Sequence, residues 1–215
     1  MAHAPSTAGP APMRRRDMQK EQTRLDIALA AFELAKAEGL AKVRVPQIAD
    51  AVGVSTRTFN NYFASKEAAI VWPTTLRGAR LAAGLAERPA GESLADALVE
   101  VVSGLCGPRG YEGLPDGWLD GFRALVAAEP ALHGEYLKAL AASERALAEV
   151  IAWRTGAAEG ELEPLVLASV VTAAERAAVL HWIRQAEAPA PLAEVVRAAV
   201  AMAVRGMASQ GITLS

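Results

Sequence analysis

Between Ser55 and Lys66 the chain reads Ser-Thr-Arg-Thr-Phe-Asn-Asn-Tyr-Phe-Ala-Ser-Lys, and the chemistry available there is hydrogen bonding to the flat edges of bases. A guanidinium is a planar fork of donors and a carboxamide sets a donor beside an acceptor, so Arg57 fits a guanine edge and Asn60 or Asn61 an adenine edge. Phe59 and Phe63 are four apart, hence on one side of a helix. With that side buried, Arg57, Asn60, Asn61 and Tyr62 turn outward together, and Thr56 and Thr58 flank them in support. Thr, Asn and Tyr are mediocre helix formers, whereas an ordinary solvated helix prefers Glu, Lys and Ala. Their concentration on an exposed face suggests a contact surface. The plainer reading is that two short helices joined by a glycine turn also occur in helical proteins that touch no DNA.

The elements that must hold this surface lie just upstream. Ile48, Ala49 and Val52 fall at helical spacing, and Gly53 follows where a helix stop needs a positive φ. Ser55 can begin the next helix by accepting the amide of Thr58. The arrangement is a helix-turn-helix whose second, short helix suits a major groove.

The residues Ile48-Ala49, Ala51, Gly53-Val54-Ser55, Thr58-Phe59, Tyr62-Phe63 and Ser65-Lys66-Glu67 resemble the signature of the tetracycline-repressor (TetR) family of bacterial transcriptional regulators. Arg24, Ile27, Ala30-Ala31, Leu34 and Gly39 match that family's first helix, so the resemblance runs from Thr23 to Ile70. Ala35 and Leu40 stand where the family usually has aromatics, and Arg44 where it usually has a capping Thr. The packing around the first helix and the start of the second are therefore expected to differ. The resemblance implies an all-α fold, in which an N-terminal three-helix helix-turn-helix DNA-binding domain precedes a helical ligand-binding and dimerisation domain. It implies a homodimeric repressor that reads an inverted repeat and is released by a small hydrophobic or amphipathic effector: a metabolite, a drug or an acyl thioester. Thr23, Arg24 and Lys66 fall where the family grips the DNA backbone, and Arg44 and Ser55 complete the set of DNA-contacting candidates.

Composition supports helices independently. Of 215 residues 52% are apolar and only 5% aromatic, and alanine, the best helix former, is abundant. No apolar run reaches the roughly 18 residues that a membrane span needs, and Met1–Pro12 lacks the hydrophobic segment of a signal peptide, so a cytoplasmic protein without a membrane partner is expected. The single cysteine, Cys106, excludes an intrachain disulfide, and its neighbours Val101, Val102 and Leu105 suggest a buried thiol. Residues 1–66 hold 10 Lys/Arg against 6 Asp/Glu, while residues 67–215 hold 12 against 18. Positive charge thus gathers at the end that carries the motif, as a nucleic-acid binder requires.

The chain divides into a disordered basic arm (1–16), the DNA-binding domain (17–66) and the effector and dimerisation domain (67–215). Arg14-Arg15-Arg16 could lie along phosphates or in a minor groove, or be merely solvated. A first helix is predicted over Asp17–Glu38 with Ile27, Ala31 and Leu34 inward, and Val45-Pro46 opens the second. Ser65 caps a fourth helix, which Trp72-Pro73 is expected to cut short, with a separate long helix running from Pro73 to Glu87. Further helices are predicted over Leu94–Leu105, Trp118–Ala127, Ala131–Trp153, Leu165–Gln185 and Leu192–Met207, with a flexible loop from Gly107 to Gly117. In the last two, Leu165, Ala168, Thr172, Val179 and Ile183 approximate a heptad stripe, and Val195, Ala199, Met202 and Gly206 make a small-residue face. The family places its dimer interface in these helices.

No catalytic, cofactor or metal constellation emerges. His3, His133 and His181 are isolated, and neither Ser103 nor Ser169 has an identifiable base nearby. An enzyme is not expected. Trp118, Phe122, Tyr136, Trp153, His181 and Trp182 could furnish an apolar pocket, although each serves equally as core. Which of Arg123, Arg145, Glu175 and Arg176 would face such a pocket depends on packing. Two rival readings share much of this pattern: a DNA-binding regulator without an effector, and a helical enzyme or interaction module with an incidental helix-turn-helix.

Overall fold

The computed structural model describes residues 15–107, 114–158, 160–185 and 190–208. Among them the chain forms nine α-helices and no strand: α1 Arg15–Glu38, α2 Val45–Ala51, α3 Thr56–Tyr62, α4 Lys66–Ala86, α5 Leu94–Gly104, α6 Trp118–Ala128, α7 Pro130–Thr155, α8 Leu162–Ile183 and α9 Leu192–Ala208. The all-α expectation holds. Arg14 and most of the predicted loop lie outside the described residues. Helix α1 takes in Arg15 and Arg16, so the basic arm does not extend to residue 16 as expected.

Helices α1 to α3 close around Ile27, Ala31, Phe32, Ala35, Leu40, Val43, Ile48, Ala49, Phe59 and Phe63, all buried. Leu34, expected on the buried face, is only half-buried. The two turns rest on Gly39 and Gly53, whose φ angles of 84° and 70° are costly for any residue with a Cβ. Without a Thr to cap it, α2 is started differently: Gln47 Oε1 reaches back to accept the Arg44 amide at 2.7 Å, with Pro46 in the first turn. Ser55 Oγ accepts the Thr58 amide at 3.0 Å, the predicted cap of α3. Phe63 stands one residue beyond α3 in extended backbone, yet turns inward, its ring 5.9 Å from that of Phe59.

Helix α4 departs from the sequence reading, because it runs unbroken through Pro73. A proline inside a helix forfeits one backbone hydrogen bond and crowds the carbonyl four residues back, at a cost of about 3 kcal/mol. Burial outweighs this. Ala69, Ile70 and Val71 are buried before the proline and Gly78, Leu81, Ala82 and Leu85 after it, against α1 and α7. Both ends are also fastened. Ser65 Oγ accepts the Ala68 amide at 3.0 Å, and Lys66 Nζ donates to the carbonyls of Leu40 (2.6 Å) and Val43 (3.0 Å) in the α1–α2 turn. At the far end the Arg154 guanidinium of α7 donates to the carbonyls of Leu85 (3.3 Å), Arg88 (2.9 Å) and Pro89 (3.0 Å), placing positive charge at the helix C-terminus.

Two cores result. One lies among α5, α7, α8, α9 and the later turns of α4. The other is shared by α1 to α3, the early turns of α4, α6 and the start of α7. Rings mark this second core's path: Phe32 of α1 meets Trp118 of α6 at 5.9 Å, Trp118 stacks on Phe122 at 4.7 Å, and Phe122 meets Tyr136 of α7 at 5.9 Å. The boundary expected between residues 66 and 67 is thus bridged both by α4 and by this core.

Helix α8 bears on two expectations. By length and composition it is apolar enough to cross a membrane, although Glu163, Glu175 and Arg176 interrupt it and keep its apolar runs short. Its inner side is nonetheless core: Leu167, Ala168, Val171, Thr172 and Val179 are buried within the same chain. Ala168, Thr172 and Val179, expected at a dimer interface, are therefore unavailable to one. Ile183, Val195 and Ala199 are half-buried, while Leu165 and Met202 are exposed. The open side of α8 carries Leu162, Leu165, Val166, Ala173, Ala177 and Leu180.

Helices α4 and α7 come close at Gly78, where an added Cβ would run into the Ser143 side chain and lie 3.3 Å from its Cα. Gly78→Ala should therefore destabilise the chain by about 1–3 kcal/mol in urea melting, despite alanine's better helix propensity; a neutral or stabilising outcome contradicts the tight seam. Lys66→Met should cost about 2 kcal/mol in the same assay, since it strands two acceptors.

Candidate nucleic-acid interface and internal cavity

Helix α3 has little backbone of its own to hold it, being two turns long. Its orientation comes from Phe59 and Phe63, and Phe63 is gripped in turn by Trp72 of α4, edge-on at 6.2 Å. This anchoring leaves Thr56, Arg57, Asn60 and Asn61 exposed in a row. Among the described residues, the side chains of Arg57, Asn60 and Asn61 make no hydrogen bond or ion pair, so their donors and acceptors are available to a partner. Thr58 is different. It is half-buried and its hydroxyl pairs with that of Ser55 at 2.8 Å, so both brace the helix start.

Tyr62 is half-buried beneath Arg24, whose guanidinium carbon lies 5.8 Å from the ring centroid. That contact ties α3 to α1 and holds Arg24 beside the reading face, with a weak ion pair to Glu21 at 3.7 Å. Arg24 Nε is buried without a partner. Thr23 sits one residue before it, its hydroxyl donating to the Gln19 carbonyl at 2.9 Å. Arg44 is exposed at the α1–α2 turn and donates to the Ala41 carbonyl at 2.7 Å. Lys66 was expected on a phosphate. Its ammonium instead turns inward to the Leu40 and Val43 carbonyls, an option that a long, flexible stem leaves open and that sequence does not reveal.

A cavity of about 130 Å³ lies between α4, α6, α7 and α8. Trp118, Phe122 and Tyr136 line it, as expected from the sequence. The other three aromatic candidates do not: Trp153 is 70% exposed, His181 is exposed beside Gln185, and the Trp182 indole donates to the Ala190 carbonyl at 3.1 Å near α9. Sequence reasoning missed Trp72, Leu119, Leu140 and Ser143, which also line the cavity. For Leu119, Leu140 and Ser143 the available signal was their position on the helices that carry the expected aromatics, whereas Trp72 lies on α4, which carries none of them. Thr172, expected at a dimer interface, lines the cavity instead.

Charge in the cavity is largely cationic. Arg77, Arg80, Arg123 and Arg176 line it against Glu175 alone, and Arg145 is exposed elsewhere. Arg77 is paired with Glu175 and donates to Cys106 Sγ at 3.1 Å, so the thiol, buried beside Val101, Val102 and Leu105 as expected, also has polar neighbours. Arg176 lies 3.5 Å from Glu144, which also accepts from Thr172 at 2.9 Å. Arg123 has no such acid among the described residues, and rests on the Tyr136 ring at 5.6 Å. Burial pushes the Tyr136 phenol above its ordinary range, keeping it a neutral donor.

Comparison with known proteins agrees with this architecture. Residues 27–69 match the family model described as "Bacterial regulatory proteins, tetR family", and residues 118–208 match "MftR C-terminal domain". The HTH-type transcriptional regulator TcmR of Streptomyces glaucescens is 32% identical over 176 residues, covering 80% of this chain and 78% of that protein. Two solved structures share the fold: a transcriptional regulator from Rhodococcus sp. Rha1 (TM-score 0.52, 23% identity, 90% of this chain and 99% of that one) and FadR of Thermus thermophilus, a TetR-family repressor in complex with lauroyl-CoA (TM-score 0.53, 24% identity, 86% and 94%). With a helix-turn-helix at its head, a helical body behind it and a relative that matches most of its length, this chain belongs to the TetR family of bacterial transcriptional regulators.

Proposed function

We propose that the protein is a homodimeric repressor in the bacterial cytoplasm, released from an inverted-repeat operator when a small molecule enters the cavity. The observation that carries the DNA reading is the row formed by Arg57, Asn60 and Asn61, exposed, unengaged and held in place by buried Phe59. In this reading Arg57, Asn60 and Asn61 meet base edges, Thr56 and Tyr62 lie beside them, and Thr23, Arg24 and Arg44 reach the backbone. Lys66 positions the head by holding the α1–α2 turn.

Two heads need a two-fold partner. The open side of α8 supports a second copy there, since Leu162, Leu165, Val166 and Leu180 are 71%, 47%, 36% and 39% exposed and Met202 of α9 is 70% exposed. Small Ala173 and Ala177 between them let a partner helix approach closely.

Effector coupling follows from α4. The same helix holds the α1–α2 turn through Lys66 and walls the cavity through Arg77 and Gly78. A ligand that binds better when α4 is parted from α7 shifts the population toward heads that no longer match the operator. The lauroyl-CoA bound by FadR of Thermus thermophilus supports a ligand-responsive body of this shape without identifying the ligand here.

Mobility shift on the DNA flanking its own gene tests the proposal, and no binding at low salt to any duplex would sink it. Asn61→Ala or Arg57→Ala should weaken operator binding by about 1–3 kcal/mol and relax base preference, whereas equal losses on random DNA would make them backbone contacts. Lys66→Met should leave the salt dependence of binding unchanged; a slope lower by about 1 would restore it to the phosphate. Val166→Glu with Leu180→Glu should give a monomer by light scattering and abolish operator binding at nanomolar protein, and a variant that stays dimeric places the interface elsewhere.

A further inference from the structure

Resting on the reading of the cavity as the effector site, the structure also points to what kind of molecule enters it: we infer that the effector is an organic acid with a flat, apolar, ring-sized body. Its anion meets Arg123 and the Tyr136 hydroxyl.

The walls are sorted by chemistry. Trp118 and Phe122, stacked on each other with only 11° between their planes, form an apolar wall with Trp72, Leu119 and Leu140. The polar groups are nearly all donors. Tyr136 is only 7% exposed, its side chain lines the cavity, and its hydroxyl makes no hydrogen bond among the described residues. The hydroxyl itself still opens onto the cavity, where it is free to donate to a molecule that enters. Arg123 lies over the same ring, half-buried and, among the described residues, without a carboxylate. The other two guanidiniums on this wall are already answered, Arg77 by Glu175 and Arg176 by Glu144. Arg80, exposed at the rim, adds further positive potential.

An uncharged hydrocarbon would leave Arg123 and Tyr136 unmatched, and a cation would meet repulsion. An acid supplies two acceptor oxygens and a full negative charge, and guanidinium with phenol is a pair of donors that a carboxylate can satisfy at once. Size narrows the body. A cavity of about 130 Å³ is close to the roughly 150 Å³ engineered cavity that holds one benzene, so a single ring fits as the helices stand and a larger body must part them.

The test is isothermal titration of the full-length protein, without DNA, with cinnamate and with its neutral isostere cinnamamide. Cinnamate should bind at least tenfold more tightly than the amide. Arg123→Met and Tyr136→Phe should each remove most of that preference while amide binding is kept, and Arg145→Met, away from the cavity, should change neither. Circular dichroism melting of each variant confirms folding, and Tyr136→Phe keeps the ring that Phe122 packs on. Equal affinities for acid and amide, no binding of either, or an acid preference that survives Arg123→Met would each overturn the inference. Mobility shift separates the two proposals: operator binding without acid preference keeps the regulator and loses this ligand class, whereas acid binding without DNA binding does the reverse.

Discussion

The contact on which the rest depends is the seam between α4 and α7, closed where Gly78 lies against Ser143. Because α4 itself carries no side chain there, it can lie flat enough on α7 to bury residues on both sides of Pro73, and that burial keeps the helix whole through a residue that ordinarily ends one. A continuous α4 has mechanical consequences that two shorter helices would lack. Its first residue holds the turn between α1 and α2, its middle walls the cavity and its last turn is collected by Arg154. In the proposed mechanism a displacement at the middle would reach the head along one continuous helix.

The helix-turn-helix was the most legible part of the chain, and for a physical reason. Gly53, Ser55 and Phe59 act through contacts within a few residues, so a positive φ, a cap and an inward ring are all written locally. The fate of Pro73 is not local. Its preference to break the helix is real, and it loses to apolar contacts with residues some 70 positions away, which no window of sequence displays. Lys66 illustrates a different limit: the stem of a lysine reaches phosphate and inward carbonyl about equally well, and only the fold determines which is nearer.

Helix α8 was misread because it is apolar nearly all round. A stripe can be drawn along any side of such a helix, and the one chosen from spacing, through Ala168, Thr172 and Val179, proved to be the side this chain buries for itself. The aromatics behaved likewise. Trp118, Phe122 and Tyr136 reach the cavity while Trp153, His181 and Trp182 do not, and the distinction rests on helix rotation, which composition leaves undetermined. The same holds for Arg123 and Arg145, alike in sequence and opposite in placement.

The stack that joins Phe32 to Trp118 also bears on how such a protein can be recombined. A head cut away after α3 would leave the Phe32 ring bare, because the lid over it is supplied by the body. Chimeras that exchange heads between relatives would have to carry α6 along with α1, or match their rings at the join. In this chain the two halves are less like beads on a string than like two hands sharing one grip.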